Sequence, residues 1–558
     1  MRKKKEMFLA LKSQERGAII GGALVSVLIL MLTVSNGSAF EIHSDSDWAM
    51  RWDNTVKYNL GYRLTDQDHK LVDDINTDDG DRNFDPGLTS NRLDLLSEMD
   101  ITYRDFGLRV SGAAWVDLVY LSDNDNDSPA TFNGEGEHDE FADATERLHG
   151  RKAEILDAFL FGKGELMAFP VSFRAGRHTV LWGESLFMAT NAISYGQAPL
   201  DFIKAIGVPG TQSKELFMPQ GQLSGQIQLS DHISIAAFSQ FEWRRTRAPA
   251  SGSYFSDMDL VDSGAEKLLL GPNFPGAPGP AFFKGNDLGA GNSRSEYGEG
   301  NLDQYGISTR FRIPKIDTEF GLYYVHYNEK SPLWIYIDPT KVNPAIGKAG
   351  EYFLVFPEDI HLIGISLSTQ VGPVNVSGEV SGRIDTPLVS SPQVIMPGTR
   401  ADNHDHALYA VGNTLHANLS AIYMMNTCSL WHGGNIMGEV GYNYLIDTTE
   451  NESALDPSRD DYAWGFRMVF EPAYYQLIQN VDIRVPIGLG YNPAGKSPVD
   501  LKFNNGGADR GGDVSVGLNV DYLQVWRFGV KYTNYFGSSD TQTLKDRDFI
   551  SISAQRTF

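Results

Sequence analysis

The residue types best suited to chemistry fall in two arginine groups and one acidic tract. Arg174, Arg177 and Glu184 flank the start of a long apolar segment, and Arg244, Arg245 and Arg247 crowd one short stretch. A guanidinium presents a fixed fork of donors, so arginines along a wet path would make a positive rung for carboxylates and phosphates. The same groups can instead form internal ion pairs, with Glu184 and Glu242 as partners that brace the segment. Bracing is the more ordinary role for charges inside a fold. Residues 65–92 hold eight Asp against three basic side chains, and residues 122–154 hold ten acids against three. Asp123-Asn124-Asp125-Asn126-Asp127 has the look of a calcium loop. Its sixth position is Ser128 instead of Gly and its twelfth is Gly134 instead of Glu, so it fails the EF-hand template. Solvated loops are the expectation here, with weak divalent binding as the lesser reading. His404, His406, His416 and His432 lack zinc spacing, and Cys428 is the single cysteine. There is no G-x-S-x-G elbow, no P-loop and no H-E-x-x-H. No metal, no cofactor and no enzyme activity are expected.

The first residues stand apart from the rest. Arg2, Lys3, Lys4, Lys5, Lys12 and Arg16 precede an apolar run from Gly17 to Val34, and Gly37 and Ala39 sit at −3 and −1 of a cleavage-like end. Residues 1–39 are expected to be a secretory signal peptide, with an uncleaved anchor helix as the alternative. Removing them takes away six basic and two acidic side chains, so a charge of −24 becomes −28. Nucleic acid, whose phosphates would be repelled, is excluded as a partner. Beyond Phe40 no run of 18 apolar residues exists to make a membrane-spanning helix.

The remainder alternates with period two. Trp48, Met50, Trp52, Val56, Tyr58, Leu60, Tyr62 and Leu64 share one face, while Arg51, Asp53, Thr55, Lys57, Asn59 and Arg63 share the other. Successive side chains of a strand point to opposite faces, so this is one apolar and one wet wall. The pattern predicts eighteen strands: 48–64, 93–104, 106–121, 155–162, 171–177, 221–229, 233–243, 303–313, 318–327, 360–370, 374–384, 415–425, 435–444, 461–470, 481–490, 513–522, 526–536 and 548–558. Tight turns such as Ser230-Asp231-His232 and Val371-Gly372-Pro373 alternate with long segments along the whole chain. Short turns on one rim and long loops on the other are the arrangement of an all-β transmembrane antiparallel β-barrel of the Gram-negative outer membrane. About 18 strands are expected, with 16 as the alternative and residues 40–558 as one barrel domain. At that width the interior holds water. Phe558 closes an alternating strand, as in the terminal signal read by the barrel-assembly machinery, although Arg556 stands where an apolar residue is usual.

The third long loop, 178–220, is short of charge and rich in Leu186, Phe187, Met188, Tyr195, Phe202 and their like. So apolar a loop is not expected to face water. Its composition predicts an inward-folded loop that narrows the lumen, with Trp182, Phe187, Tyr195 and Phe202 greeting an apolar solute. The alternative is a loop that packs on the barrel wall or a partner subunit. Trp182 could stack on a solute but is better placed to pack the turn.

The stretch Phe173-Arg174-Ala175-Gly176-Arg177-His178-Thr179-Val180-Leu181-Trp182-Gly183-Glu184-Ser185 resembles a hallmark of a proteobacterial family catalogued as domain of unknown function thirteen-oh-two. Val208-Pro209-Gly210, the strand Gln220–Leu229, and Trp243, Thr246, Arg247, Tyr254 and Phe255 fit the same pattern. The resemblance implies a porin-like outer-membrane barrel. It also implies gene neighbours that are permeases of the resistance-nodulation-division type, and hence traffic in apolar or amphipathic compounds.

Three functions follow as expectations. The first is a channel for a small apolar or amphipathic solute, with an anion among the candidates. The second is the outer-membrane component of an efflux or uptake system with a periplasmic or inner-membrane partner. The third is a barrel-type lipid hydrolase. Outer-membrane lipid, lipopolysaccharide and the barrel-assembly machinery are the expected surroundings in every case.

Overall fold

The computed structural model describes residues 40–43, 47–211, 213–261, 263–271, 279–287, 297–299, 303–332, 334–403, 405–504 and 507–558. The expected signal peptide at 1–39 lies outside the described residues. Eighteen antiparallel strands form one closed sheet. They are β1 (Trp48–Arg63), β2 (Gly87–Tyr103), β3 (Phe106–Asp117), β4 (Arg151–Leu166), β5 (Phe169–His178) and β6 (Gln220–Ser230). Then come β7 (Ile233–Gln240), β8 (Tyr305–Ile313), β9 (Thr318–Tyr327), β10 (Ile360–Val371), β11 (Val374–Pro387) and β12 (Val411–Met425). The last are β13 (Gly433–Glu450), β14 (Tyr462–Ile478), β15 (Val481–Arg484 with Ile487–Ala494), β16 (Gly511–Tyr522), β17 (Trp526–Phe536) and β18 (Phe549–Thr557). Each pairs with its neighbours in sequence, and β18 returns to β1 in register from Thr55↔Thr557 to Arg63↔Phe549. Closure leaves no strand edge unpaired, which hydrocarbon requires.

Alternation along the strands sorts the side chains. Leu160, Leu223, Ile307, Ile363, Leu419, Val440, Val530 and Ile552 are exposed on the outer surface. Lys57, Asn59, Gln222, Glu379, Asn418 and Glu439, one residue out of step with that set, are buried within the barrel. Exposed rings gather at both ends: Trp48, Tyr103 and Phe106 by the short turns, and Tyr62, Tyr305, Tyr444 and Tyr462 by the long loops. An apolar outer belt edged by aromatics places the protein in the outer membrane, against its lipid. No helix among the described residues is long and apolar enough to cross a membrane.

Several strands run beyond their expected bounds, β2 starting at Gly87, β13 ending at Glu450 and β14 ending at Ile478. β4 and β5 run to a two-residue turn at Met167-Ala168, with φ of 51° and 69°, and so exceed the expected 155–162 and 171–177. Neither residue is the Gly, Asn or Asp that ordinarily marks such a turn. The loops also carry structure of their own. Lys267–Leu269, Phe282–Asp287, Lys348–Val355, Trp334–Asp338 and Gln393–Val394 join in a five-stranded mixed sheet. These stretches read as loop because the sheet is assembled largely from distant parts of the chain, so no regular succession of local turns signals the pairing.

Candidate functional site

The segment between β5 and β6, residues 179–219, is held by side chains on the inner face of strands far away in sequence. Glu439 of β13 accepts hydrogen bonds from the Ser185 hydroxyl (2.7 Å) and from the backbone N–H groups of Leu186 (3.2 Å), Phe187 and Met188 (3.0 Å). Glu379 of β11 accepts from the N–H of Glu184 (2.5 Å) and of Ile193 (2.9 Å). Both carboxylates alternate with the outward Val380 and Val440. Asn191 donates to Asn418 of β12 (2.7 Å) and meets Nδ1 of His416 (2.9 Å). Arg383 donates to the Thr190 carbonyl (2.9 Å) and lies 5.0 Å over the Tyr195 ring. On the opposite wall, Lys57 of β1 pairs with Glu215 (3.3 Å) and Glu98 of β2 pairs with Lys214. The segment thus has partners on β11–β13 at one end and on β1–β2 at the other.

Local chemistry shapes the segment between these anchors. Asp201 caps the short helix Phe202–Gly207, accepting from the Lys204 N–H (3.0 Å). Gln197 accepts from the Trp182 N–H (2.6 Å), and its carbonyl accepts from Gln220 and Gln240. Gly183 adopts φ 104° and packs against the Glu379 carboxylate, where a β-carbon would collide.

The residues singled out from sequence separate into distinct roles. Arg174 turns inward: its register partners Phe161 and Ser224 alternate with outward Leu160 and Leu223, and its guanidinium lies 5.7 Å over Phe159. Arg177, three residues on, must face the other way in a period-two strand. Its partners Ala158 and Gly221 belong to the outward set, and it forms an ion pair with Glu242 at the loop end of the wall. Arg244 pairs with Glu154 (3.0 Å), and Arg247 bridges Glu154 (2.6 Å) and Asp201 (2.7 Å). Arg245 lies 5.5 Å over the Phe356 ring. Arg244 and Arg247 thus meet Glu154 and Asp201 instead of Glu184, whose position in the chain suggested the pairing. Burial pushes the Glu184 carboxyl up, while Arg310 opposes the shift and Glu319 adds to it.

Trp182 is buried among Ile193, Phe238, Tyr323 and Tyr327, with ring centroids 5.0 Å from Phe238. It packs the turn. Tyr195 donates to Glu329 (2.6 Å), and burial followed by the Glu329 charge raises its hydroxyl pKa. Phe187 is half-buried with its N–H on Glu439. Phe202 starts the short helix, its N–H on the Arg247 carbonyl (2.9 Å). Phe558 exchanges backbone hydrogen bonds of 2.9 and 2.8 Å with Asn54, continuing the β18–β1 seam. His416 sits on the inner wall, His432 beside the Tyr475 carbonyl and His406 beside Asp402, so these three do not converge. His404 lies outside the described residues.

Beside the segment lies a cavity of about 360 Å³. One side is apolar, from Ile206, Val208, Pro209 and Leu216; the other comes from the inner wall of β15–β18, with Arg484, Arg527 and Lys531 against Asp521. Asp521 pairs with Arg484 and lies 3.5 Å from Arg527. Neither this basic wall nor the anchoring Glu379 and Glu439 stood out in the sequence. Their signal was present in the alternation, since Arg527 and Lys531 are out of step with Phe528, Val530 and Tyr532. What each side chain meets across the lumen had no signal.

A family model described as "Protein of unknown function (DUF1302)" matches residues 20–558. Among solved structures, OccK2 (OpdF) of Pseudomonas aeruginosa in complex with glucuronate is 10% identical, with 91% of this chain and 97% of that one covered and a TM-score of 0.39. A BenF-like porin from Pseudomonas fluorescens Pf-5 is 9% identical, with 91% and 98% covered and a TM-score of 0.39. OccAB1 of Acinetobacter baumannii is 9% identical, with 91% and 96% covered and a TM-score of 0.42. No curated protein matches the chain.

Proposed function

This chain belongs to the DUF1302 family, and on that footing we propose that it is an outer-membrane channel passing small amphipathic solutes, anions in preference, past an inward-folded segment 179–219. The observation that carries this reading is the set of anchors on Glu379 and Glu439. Two buried carboxylates on the polar face of β11 and β13 take up backbone N–H groups of the segment. Charge-assisted bonds of that kind hold a loop firmly where water is scarce. The segment then divides the lumen, and the remaining path runs along the cavity beside Arg484, Arg527 and Lys531.

Selectivity follows from the two sides of that path. Ile206, Val208 and Leu216 give an apolar solute surface to cover, and the basic wall attracts a carboxylate or phosphate head. A solute with one greasy end and one negative end satisfies both. The test is single-channel conductance in planar bilayers with residues 205–216 replaced by a short Gly-Ser linker. Conductance is expected to rise at least about twofold, since a constriction dominates the resistance of a pore. Unchanged current would remove the segment from the path.

A further inference from the structure

The long loops bring together carboxylates from distant parts of the chain. Asp78 and Asp79, in the loop after β1, and Asp259, in the loop after β7, each offer an oxygen within 4.8 Å of the others, and all three are buried. The third contributor is the loop after β3. Its Asn133 N–H donates to Asp79 Oδ2 (3.0 Å), and its Asn126 amide approaches Asp79 Oδ1 (3.5 Å). Gly80 makes the approach possible, since a β-carbon there would stand 2.5 Å from the Ser256 carbonyl oxygen and 2.8 Å from that of Ser253.

Two of the carboxylate oxygens, Oδ1 of Asp78 and Oδ1 of Asp259, lack a donor. Arg82 serves Asp78 through Oδ2, and the Asp79 N–H serves Asp259 through Oδ2 (2.9 Å). Oδ1 of Asp78, Oδ1 of Asp259 and Oδ1 of Asn133 are buried with no hydrogen bond. Clustered like charges taken out of water must be neutralised, by a proton or by a cation. Burial raises all three carboxyl pKa values, and for Asp79 the facing Asp259 adds to the effect.

We propose that Asp78, Asp79 and Asp259 bind a divalent cation that ties the loops after β1, β3 and β7 into one cap. The ligand atoms are all carboxylate oxygens, from Asp78 and Asp79 at the start of a one-turn helix and from Asp259 in an irregular loop. That is the donor set of calcium, whose coordination number and geometry are tolerant, better than of magnesium, which demands a near-ideal octahedron. The site owes nothing to the Asp123–Asp127 stretch as an EF-hand: that stretch adds neighbours to a site whose charged ligands come from elsewhere.

The test is calorimetric titration of calcium into chelator-stripped, full-length barrel in detergent. One saturable site per chain is expected. Asp79→Asn and Asp259→Asn should each weaken it at least about tenfold, while heat-modifiable migration on gels shows that the barrel has formed. Absence of a saturable isotherm, unchanged affinity in both folded variants, or tighter binding of magnesium would overturn the proposal. Should the Asn variants fail to form a barrel, the double variant Glu137→Gln/Asp139→Asn decides. It disables the exposed cluster of Glu137, His138 and Asp139, the other group among the described residues able to hold an ion. Retained calcium binding supports the buried site, and lost binding transfers the ion to the surface.

Discussion

The arginines show how a strand assigns chemistry by parity. Arg174 and Arg177 are three positions apart in a strand whose faces alternate, so one turns to the lumen and the other to the outer wall. Arg244 and Arg247 are neutralised by Glu154 and Asp201 and serve as braces. The basic groups that line the cavity beside the segment are Arg484, Arg527 and Lys531. Arg484→Ala combined with Lys531→Ala should therefore move the reversal potential in a salt gradient toward cation preference, whereas Arg177→Ala should leave it in place. Equal shifts from both would place the selectivity elsewhere. A second residue-scale expectation concerns Glu439, which receives one hydroxyl and three backbone N–H groups. Hydrogen bonds to a charged acceptor contribute about 1.5–3 kcal/mol each. Glu439→Gln keeps the size but loses the charge, so open-channel current should become noisier and larger on average, readable in single-channel records.

At the scale of elements, the strands and the loops obey different rules. Strands such as β1 (Trp48–Arg63) and β16 (Gly511–Tyr522) alternate strictly enough that each declares itself. The small mixed sheet of the loops instead pairs segments such as Phe282–Asp287 and Lys348–Val355 in parallel across long intervals. The cap built by the loops after β1, β3 and β7 should respond to pH in a defined direction. Burial pushes the Asp259 carboxyl up to about 7, above its value in an unfolded chain. The folded form therefore holds a proton that the unfolded form has lost. That contribution is complete below about pH 4, the unfolded carboxyl range, and disappears as pH rises through about 7. In chelator, protease cleavage in these loops, normalised to an unfolded control, should increase from pH 5 to pH 8. Added calcium should suppress the increase. A flat profile in chelator would contradict the assignment.

The whole molecule depends on closure. β18 pairs with β17 on one side and β1 on the other, so removing residues 549–558 exposes two edges at once. In hydrocarbon those unpaired groups have no substitute partner. The truncated chain should fail to give a heat-modifiable band on refolding and should aggregate instead; a compact, heat-modifiable product would show that seventeen strands can close without it.

The architecture was legible in the residues alone. Period-two patterning and alternating connection lengths marked eighteen strands, because in a membrane barrel one face of every strand must meet lipid and the other water, a constraint written residue by residue. The unusual apolarity of 178–220 and the acidity of the first two loops were equally plain. Which groups meet was settled only by the folded chain. Glu439 finds Phe187, Arg247 finds Asp201, and Asp79 finds Asp259 only after the sheet has closed and brought together residues far apart in the chain. Alternation tells a side chain which way to face; it carries no information about what stands across the lumen, since that distance is set by the width of the ring and the path of the loops within it.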